Sequence, residues 1–168
     1  MIIRMNEIPF PLKGYTLTKI KKNDDVSYFL SCIKETILSS VSSIEKNLSS
    51  LWIDDIISVV SCKLSKGPML NEAFKLSNEA RNIGILWMGK SRDQYTCDDT
   101  GYLLGIFIEK NERRKGLGQA LLDSAELWCK LNSLVSITLN VGAHNKEALN
   151  LYSSAGYEPQ STIMKKFI

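Results

Sequence analysis

Arg113-Arg114-Lys115-Gly116-Leu117-Gly118 is the segment whose residue types point most directly at chemistry. It follows an apolar run that reads as a buried strand and precedes a stretch of helical periodicity. A strand that turns through glycines into a helix gathers unpaired backbone N–H groups, the positive end of the helix dipole and cationic side chains at one place. That combination suits a pyrophosphate. Glycine admits the backbone angles of a tight turn, and it lets phosphate oxygens come close to the amides. The plain structural alternative is an ordinary strand-to-helix turn with exposed basic residues, and these six residues alone do not choose between the two.

Two familiar phosphate loops do not fit. Gly84 to Ser91 matches G-x-x-x-x-G-K-[ST] by residue type alone, but that loop must open a helix and Ile83 to Gly89 reads as a strand; Gly116-Leu117-Gly118-Gln119-Ala120-Leu121 lacks the third glycine or alanine of a dinucleotide fingerprint.

A second constellation lies downstream: Asn145, Ala148, Leu151, Tyr152, Gly156 and Tyr157. These residues match every fixed position of N-x-x-A-x-x-L-Y-x-x-x-G-[FY]. Arg113, Gly116 and Gly118 match [QR]-x-x-G-x-[GA]. With both motifs present in this order and spacing, the chain resembles the GNAT acetyltransferase superfamily. The resemblance covers Thr100 to Ile168 and extends by element order to the rest, although before Lys63 only the topology agrees.

The resemblance implies a single domain spanning 1–168 with an α/β fold of the GNAT (acyl-CoA N-acyltransferase) type. Its centre would be a mixed, mostly antiparallel sheet of six to seven strands flanked by helices. It also implies acetyl-CoA as cosubstrate, without a metal. Backbone amides of Arg114, Lys115, Gly116, Leu117, Gly118 and Gln119 would hold the pyrophosphate, with Arg113 opening the loop. A bulged strand near Ile106, Phe107 and Ile108 would pair with the pantetheine arm, and its N–H groups would face the charge that develops when an amine attacks the thioester. Tyr152 corresponds to the family tyrosine that protonates the departing thiolate. An ordinary phenol titrates near about 10 and so remains a donor at neutral pH. Its plain alternative is a half-buried helix tyrosine. Asn145 reads from its position as a helix cap, and from the resemblance as a polar contact to the cofactor.

The general base is the gap in this scheme. Where several relatives place a glutamate this chain has a residue near Tyr102, and where some carry an aspartate it has Gly105. No carboxylate lies between Gly101 and Ile108. Glu79, Asp98, Asp99 and Glu109 are displaced candidates, and charged loop residues of this kind are usually just solvated. His144 precedes Asn145 at the same strand-to-helix turn and has the chemistry of a proton acceptor. Without a base, amines of low pKa are favoured: an α-amine near about 7.7–8.0 is partly neutral where a lysine near about 10.4 is not. Acceptor binding would fall to the amino-terminal helices and the loop before the last strand. There, Asp54-Asp55 would attract a cationic amine and Trp52 would form an apolar wall; the plain alternative is an acidic helix face with one core tryptophan.

Three function classes follow. The leading one is an N-acetyltransferase that moves acetyl to a primary amine of a small molecule or peptide by direct attack. The second is a catalytically weak acetyl-CoA-binding regulator, suggested by the missing strand carboxylate and opposed by Tyr152. The third uses Lys110, Arg113, Arg114 and Lys115 as a nucleic-acid patch, but the nearby aromatic residues fit core strands better than stacking platforms.

The elements that must position these residues are legible from periodicity. Tyr15 to Ile20 alternates as a first strand, and Asn23-Asp24-Asp25 resembles a helix cap. Val26 to Lys63 has helical spacing in two stretches, split near Ser39 to Ser43. Ala73 to Ser77 and Ile83 to Gly89 read as a hairpin turning at Asn78 to Arg81. Tyr102 to Ile108 reads as a central strand, in which Gly105 marks a bulge or a close backbone approach. Leu117, Leu121, Ala125 and Trp128 then share a helical face. Val135 to Val141 alternates as a strand. Ala148, Leu151, Tyr152 and Ala155 share the face of a short helix stopped by Gly156, and Ile163 to Ile168 reads as a closing strand.

Composition bounds the rest. The chain has 168 residues, 44% of them hydrophobic, enough for one sizeable core. A formal charge of +3 does not by itself imply nucleic acid or an anionic membrane. Cys32, Cys62, Cys97 and Cys129 show neither a C-x-x-C pair nor zinc spacing, and so read as buried free thiols in a reducing, cytoplasmic setting. The amino-terminal stretch carries charges and a proline where a signal peptide needs an apolar run, and no run reaches membrane-spanning length. Partners are thus expected to be an amine acceptor, with neither nucleic acid nor membrane; the oligomeric state, a homodimer included, stays open.

Overall fold

β4 (Asn82–Arg92) is buried without interruption from Ile83 to Gly89, the pattern of a strand covered on both faces. Around it the computed structural model, which describes residues 6–21, 25–40, 55, 57, 58, 60, 71–93, 95–164 and 166, assembles a six-stranded sheet in the order β1-β2-β3-β4-β5-β6. The other strands are β1 (Glu7–Ile8), β2 (Tyr15–Lys19), β3 (Asn71–Asn78), β5 (Asp99–Ile108) and β6 (Ile137–Leu139). All neighbours pair antiparallel except β5 and β6, which run parallel. This is the mixed, mostly antiparallel α/β sheet anticipated from the sequence.

The period of two along β4 divides the core into two layers. Leu86 and Met88 point to the face covered by α2 (Leu117–Leu131) and α3 (Lys146–Ser154), where they meet Leu117, Leu121, Leu122, Ala125, Trp128 and Tyr152. Ile85 and Trp87 point to the opposite face, under Phe29, Cys32 and Ile33 of α1 (Val26–Ser40) and Val60. Each fully buried leucine or phenylalanine on these faces is stabilised by about 1.5–3 kcal/mol on leaving water. Trp128 Nε1 donates to the buried carboxylate of Glu72 at 2.8 Å, and Lys19 Nζ pairs with the same group. A polar tie thus fixes α2 over the edge of β3.

The hairpin forms as expected but longer. Asn78 Oδ1 accepts from the amides of Ala80 and Arg81 at 3.0 and 2.9 Å, which closes the turn between β3 and β4. α1 is described as far as Ser40; the segment 41–54, where the predicted break would give way to a second helix, lies outside the described residues with Trp52 and Asp54, whereas Asp55 is helical and exposed.

Four expectations need correction. β6 spans three residues rather than Val135 to Val141, and Val135 is 92% exposed. Its parallel pairing with β5 runs only from Gly101↔Ile137 to Leu103↔Leu139, next to the residue where β5 bulges. Ile163 and Met164 of the expected closing strand are outside the sheet at 88% and 91% exposure; residues 165, 167 and 168 are not among those described. β1 was not expected, because two residues hold no measurable period; its Ile8 is buried opposite Leu17. Cys97 is exposed, unlike Cys32 and Cys129, because it sits at φ 62° in the turn between β4 and β5.

Candidate active site

β5 carries its bulge at Leu104. Trp87 lies opposite Gly105 and Met88 opposite Leu103, so Leu104 is the extra residue. Gly105, the position suspected from sequence, has a different duty: a Cβ there would stand 2.9 Å from Ile33 Cδ1, so its hydrogen lets α1 settle on the strand. From Leu104 to Ile108 no residue of β6 is paired with β5 among the described residues. The pairing with β6 therefore stops at Leu103, and Ile106, Phe107 and Ile108 lie on the part of β5 beyond it.

After β5 the chain makes a 3-10 turn (Lys110–Glu112) and reaches α2 through two left-handed residues, Arg114 at φ 65° and Gly116 at φ 77°. A left-handed arginine is uncommon and costs free energy, so the surroundings must hold it there. Alternation of this kind turns successive amides toward one side, forming an anion-binding concavity. No side chain caps α2, and a Cβ on Gly116 would meet nothing within 4 Å. The loop is thus open beside the Gly116 α-carbon. Gly118 differs. A Cβ there would lie 3.1 Å from Leu151 Cδ2, so this glycine permits α2 to pack on α3.

Two of the loop's cationic side chains, Lys115 and Arg113, pair with carboxylates. Lys115 Nζ lies 2.7 Å from Glu112 Oε2, and Arg81 from the β3–β4 hairpin lies 3.2 Å from Oε1 of the same residue. The Lys115 hydrogen bond, seconded by Arg81, holds the Glu112 carboxyl below the usual carboxylate range, while Glu112 raises Lys115. Arg113 Nε donates to the Ile108 carbonyl at 3.2 Å, and its guanidinium lies 3.7 Å from Glu147 at the start of α3. Arg113 therefore straddles the gap between the end of β5 and α3. Glu112 and Arg81 escaped the sequence reading, since only the meeting of hairpin and loop gives them a role.

The β6–α3 turn is closed rather than open. Asn145 Oδ1 accepts from the Ala148 amide at 3.1 Å, which makes Asn145 the cap its position suggested and leaves its NH2 as the donor group. At the other end Gly156, at φ 85°, donates to Ser153 and Tyr157 donates to the Tyr152 carbonyl at 3.0 Å. This is a Schellman motif, and the 5.7 Å contact between the Tyr152 and Tyr157 rings is its usual apolar companion. Tyr152 is buried at 9% exposure, and burial pushes its phenol up to about 12. It keeps its proton more firmly than an ordinary phenol.

The displaced carboxylates are dispersed. Asp99 pairs with Lys90 at 2.6 Å, Glu79 is exposed in the hairpin turn, Asp98 is exposed ahead of β5, and Glu109 follows the end of β5. His144 Nε2 lies 3.0 Å from the Ser39 carbonyl. A groove of about 840 Å³ beside β6, lined among others by Glu126, Lys130, Val135, Tyr157 and Gln160, contains none of the predicted cofactor residues.

The sequence pattern of the acetyltransferase (GNAT) family matches residues 73–157. The chain belongs to the acetyltransferase (GNAT) family. As a GNAT protein it shares its fold with a putative acetyl transferase from Pyrococcus furiosus at 26% identity, covering 92% of this chain and 99% of that one with a TM-score of 0.76. A structure of the aminoglycoside acetyltransferase AAC(6')-Iy with the bisubstrate analogue CoA-S-monomethyl-acetylneamine is similar at 13% identity, 92% and 97% coverage and a TM-score of 0.68. A ribosomal-protein-alanine N-acetyltransferase from Brucella melitensis is similar at 14% identity, 92% and 99% coverage and a TM-score of 0.65. No curated protein sequence matches the chain significantly. Among the described residues of this GNAT chain, no helix is long and apolar enough to cross a membrane.

Proposed function

We propose that this chain transfers acetyl from acetyl-CoA to a primary amine of a small molecule or peptide by direct attack. The observation that carries the reading is the left-handed pair Arg114 and Gly116 leading into an uncapped helix after the end of β5, beyond its pairing with β6. The residues fit the cosubstrate: amides from Arg114 to Gln119 suit a pyrophosphate, Gly116 leaves room for it, and the bulged strand through Ile106, Phe107 and Ile108 suits the pantetheine amides. When bound, acetyl-CoA supplies an activated acyl group; the chain's part is to orient it and manage charge and protons.

As the amine nitrogen bonds to the acetyl carbon and the carbon–sulfur bond breaks, negative charge passes through the carbonyl oxygen to sulfur. Strand N–H groups stabilise the first and the Tyr152 hydroxyl protonates the second. The surplus amine proton leaves to water. With no carboxylate between Gly101 and Ile108, amines that are partly neutral at physiological pH are the preferred acceptors. The two neighbours named for an aminoglycoside and a ribosomal-protein alanine support a fold that serves both acceptor classes.

Thiol release from acetyl-CoA across polyamines, aminoglycosides, amino acids and peptides tests this, with product mass confirming N-acetylation. Turnover concentrated on one class is expected. Tight acetyl-CoA binding without release above the hydrolysis blank would replace the enzyme with a cofactor-binding regulator.

A further inference from the structure

α1 lies against the part of β5 beyond its pairing with β6. Ile33 rests on Gly105 of β5, and the last described turn of the helix reaches the loop between β6 and α3. In α1 the hydroxyls of Ser39 and Ser40 both turn back to the Thr36 carbonyl, at 2.7 and 2.9 Å, while the Ser39 carbonyl is taken by His144 Nε2 at 3.0 Å. A carbonyl only accepts, so this bond places the imidazole hydrogen on Nε2. His144 is exposed, but its ring abuts Gly142: a Cβ there would fall 2.6 Å from His144 Cε1 and 3.0 Å from the Ser40 carbonyl. Gly142 thus makes the hollow into which both the ring and the Ser40 carbonyl fit.

We propose that His144 is a positioning residue that clamps the Ser39 turn of α1 to the β6–α3 loop and so fixes the acceptor side of the cleft; the acceptor part rests on the acyl-transfer reading above. The cosubstrate side is built from other pieces, the loop after β5 and the start of α2. The clamp therefore governs how the amine is held and not how tightly acetyl-CoA binds. Its position beside Asn145 makes that separation a demanding test.

His144 is the only histidine in the sequence, so its imidazole nitrogens can be read without overlap by ¹⁵N NMR. The Nε2–H tautomer is expected, and a population dominated by Nδ1–H overturns the clamp. Amide hydrogen exchange then compares the wild type with His144→Ala, with His144→Gln, whose amide donor reaches about as far as Nε2, and with Gly142→Ala, whose methyl group intrudes on the ring. Exchange at Ile37 to Ser40 should rise about tenfold in His144→Ala and Gly142→Ala and return toward wild type in His144→Gln. Unchanged exchange in His144→Ala overturns the proposal. Calorimetric affinity for acetyl-CoA should stay within about twofold, while KM for the best amine of the panel rises about tenfold and is rescued by His144→Gln. Loss of acetyl-CoA affinity with unchanged amine KM would refute the acceptor role. If the wild type turns over no amine but shows the expected exchange pattern, the acyl-transfer reading and the acceptor role fall while the clamp stands.

Discussion

At the start of α2, Gly116 takes φ 77° with open space where a Cβ would stand, and no side chain caps the helix. At the start of α3, Asn145 folds its own side-chain oxygen onto the Ala148 amide, and the helix closes at its other end through Gly156 and Tyr157. Both segments are short, glycine-bearing and carry half of the family signature, yet one offers its backbone outward while the other consumes its polar groups internally. A signature residue is therefore not by itself a contact residue. Gly118 repeats the point within the first segment, since its missing side chain admits Leu151 rather than a ligand.

The sharpest way to break this contrast is Gly116→Glu. Charge and bulk would enter the open side of the loop, and acetyl-CoA affinity measured by calorimetry should fall about a hundredfold or more. The cost to the fold should be only the left-handed strain, about 1–2 kcal/mol. Unchanged affinity would remove the loop from the cosubstrate site. A collapse of the far-ultraviolet circular dichroism would show instead that Gly116 serves the fold as Gly118 does.

Tyr152 stands on the border between the two plans, buried as a partner of Tyr157 and assigned a proton donor's role. Tyr152→Phe should lower kcat about a hundredfold while leaving acetyl-CoA affinity nearly intact, since general acids contribute about 10²–10⁴. Equal turnover would reduce Tyr152 to its packing. Its pH dependence is separable. Because burial raises the phenol to about 12, the protonated donor persists through pH 10, where an ordinary phenol ionises. The unfolded chain then gives up this proton first, so stability from the buried neutral phenol is complete below about pH 10 and is lost as pH rises toward 12. Denaturation midpoints from pH 8 to 12 should fall more steeply in the wild type than in Tyr152→Phe.

How far such roles could be read from the sequence depended on whether they were local. The α2 face of Leu117, Leu121, Ala125 and Trp128 and the long buried run of β4 carry their own periodicity, and both form as expected. The left-handed state of Arg114 leaves no mark on an arginine, and the bulge falls on Leu104, beside the glycine that seemed to announce it. Glu112 gains its meaning from Arg81 in another hairpin, and His144 from Ser39, 105 residues away. β6 was overestimated because alternation reports a preference for extended backbone but not which residues find a partner, and only Ile137 to Leu139 pair with β5.

Asn145 gives the finest test, because its capping and its proposed cofactor contact use different atoms. The side-chain oxygen is committed to the Ala148 amide, which leaves the NH2 group to face a ligand. Serine supplies a capping oxygen but no such donor at that reach; alanine supplies neither. Asn145→Ala should therefore lose about 1 kcal/mol of stability, whereas Asn145→Ser should lose only a few tenths. If the NH2 group touches acetyl-CoA, both variants lose affinity to the same extent, about three- to tenfold for one hydrogen bond. Should Asn145→Ser bind acetyl-CoA like the wild type, the residue belongs wholly to the helix, and the second signature would touch the cosubstrate through Tyr152 alone. Thermal melts and calorimetry on the two variants decide it, because the melt reads the cap and the calorimeter reads the contact.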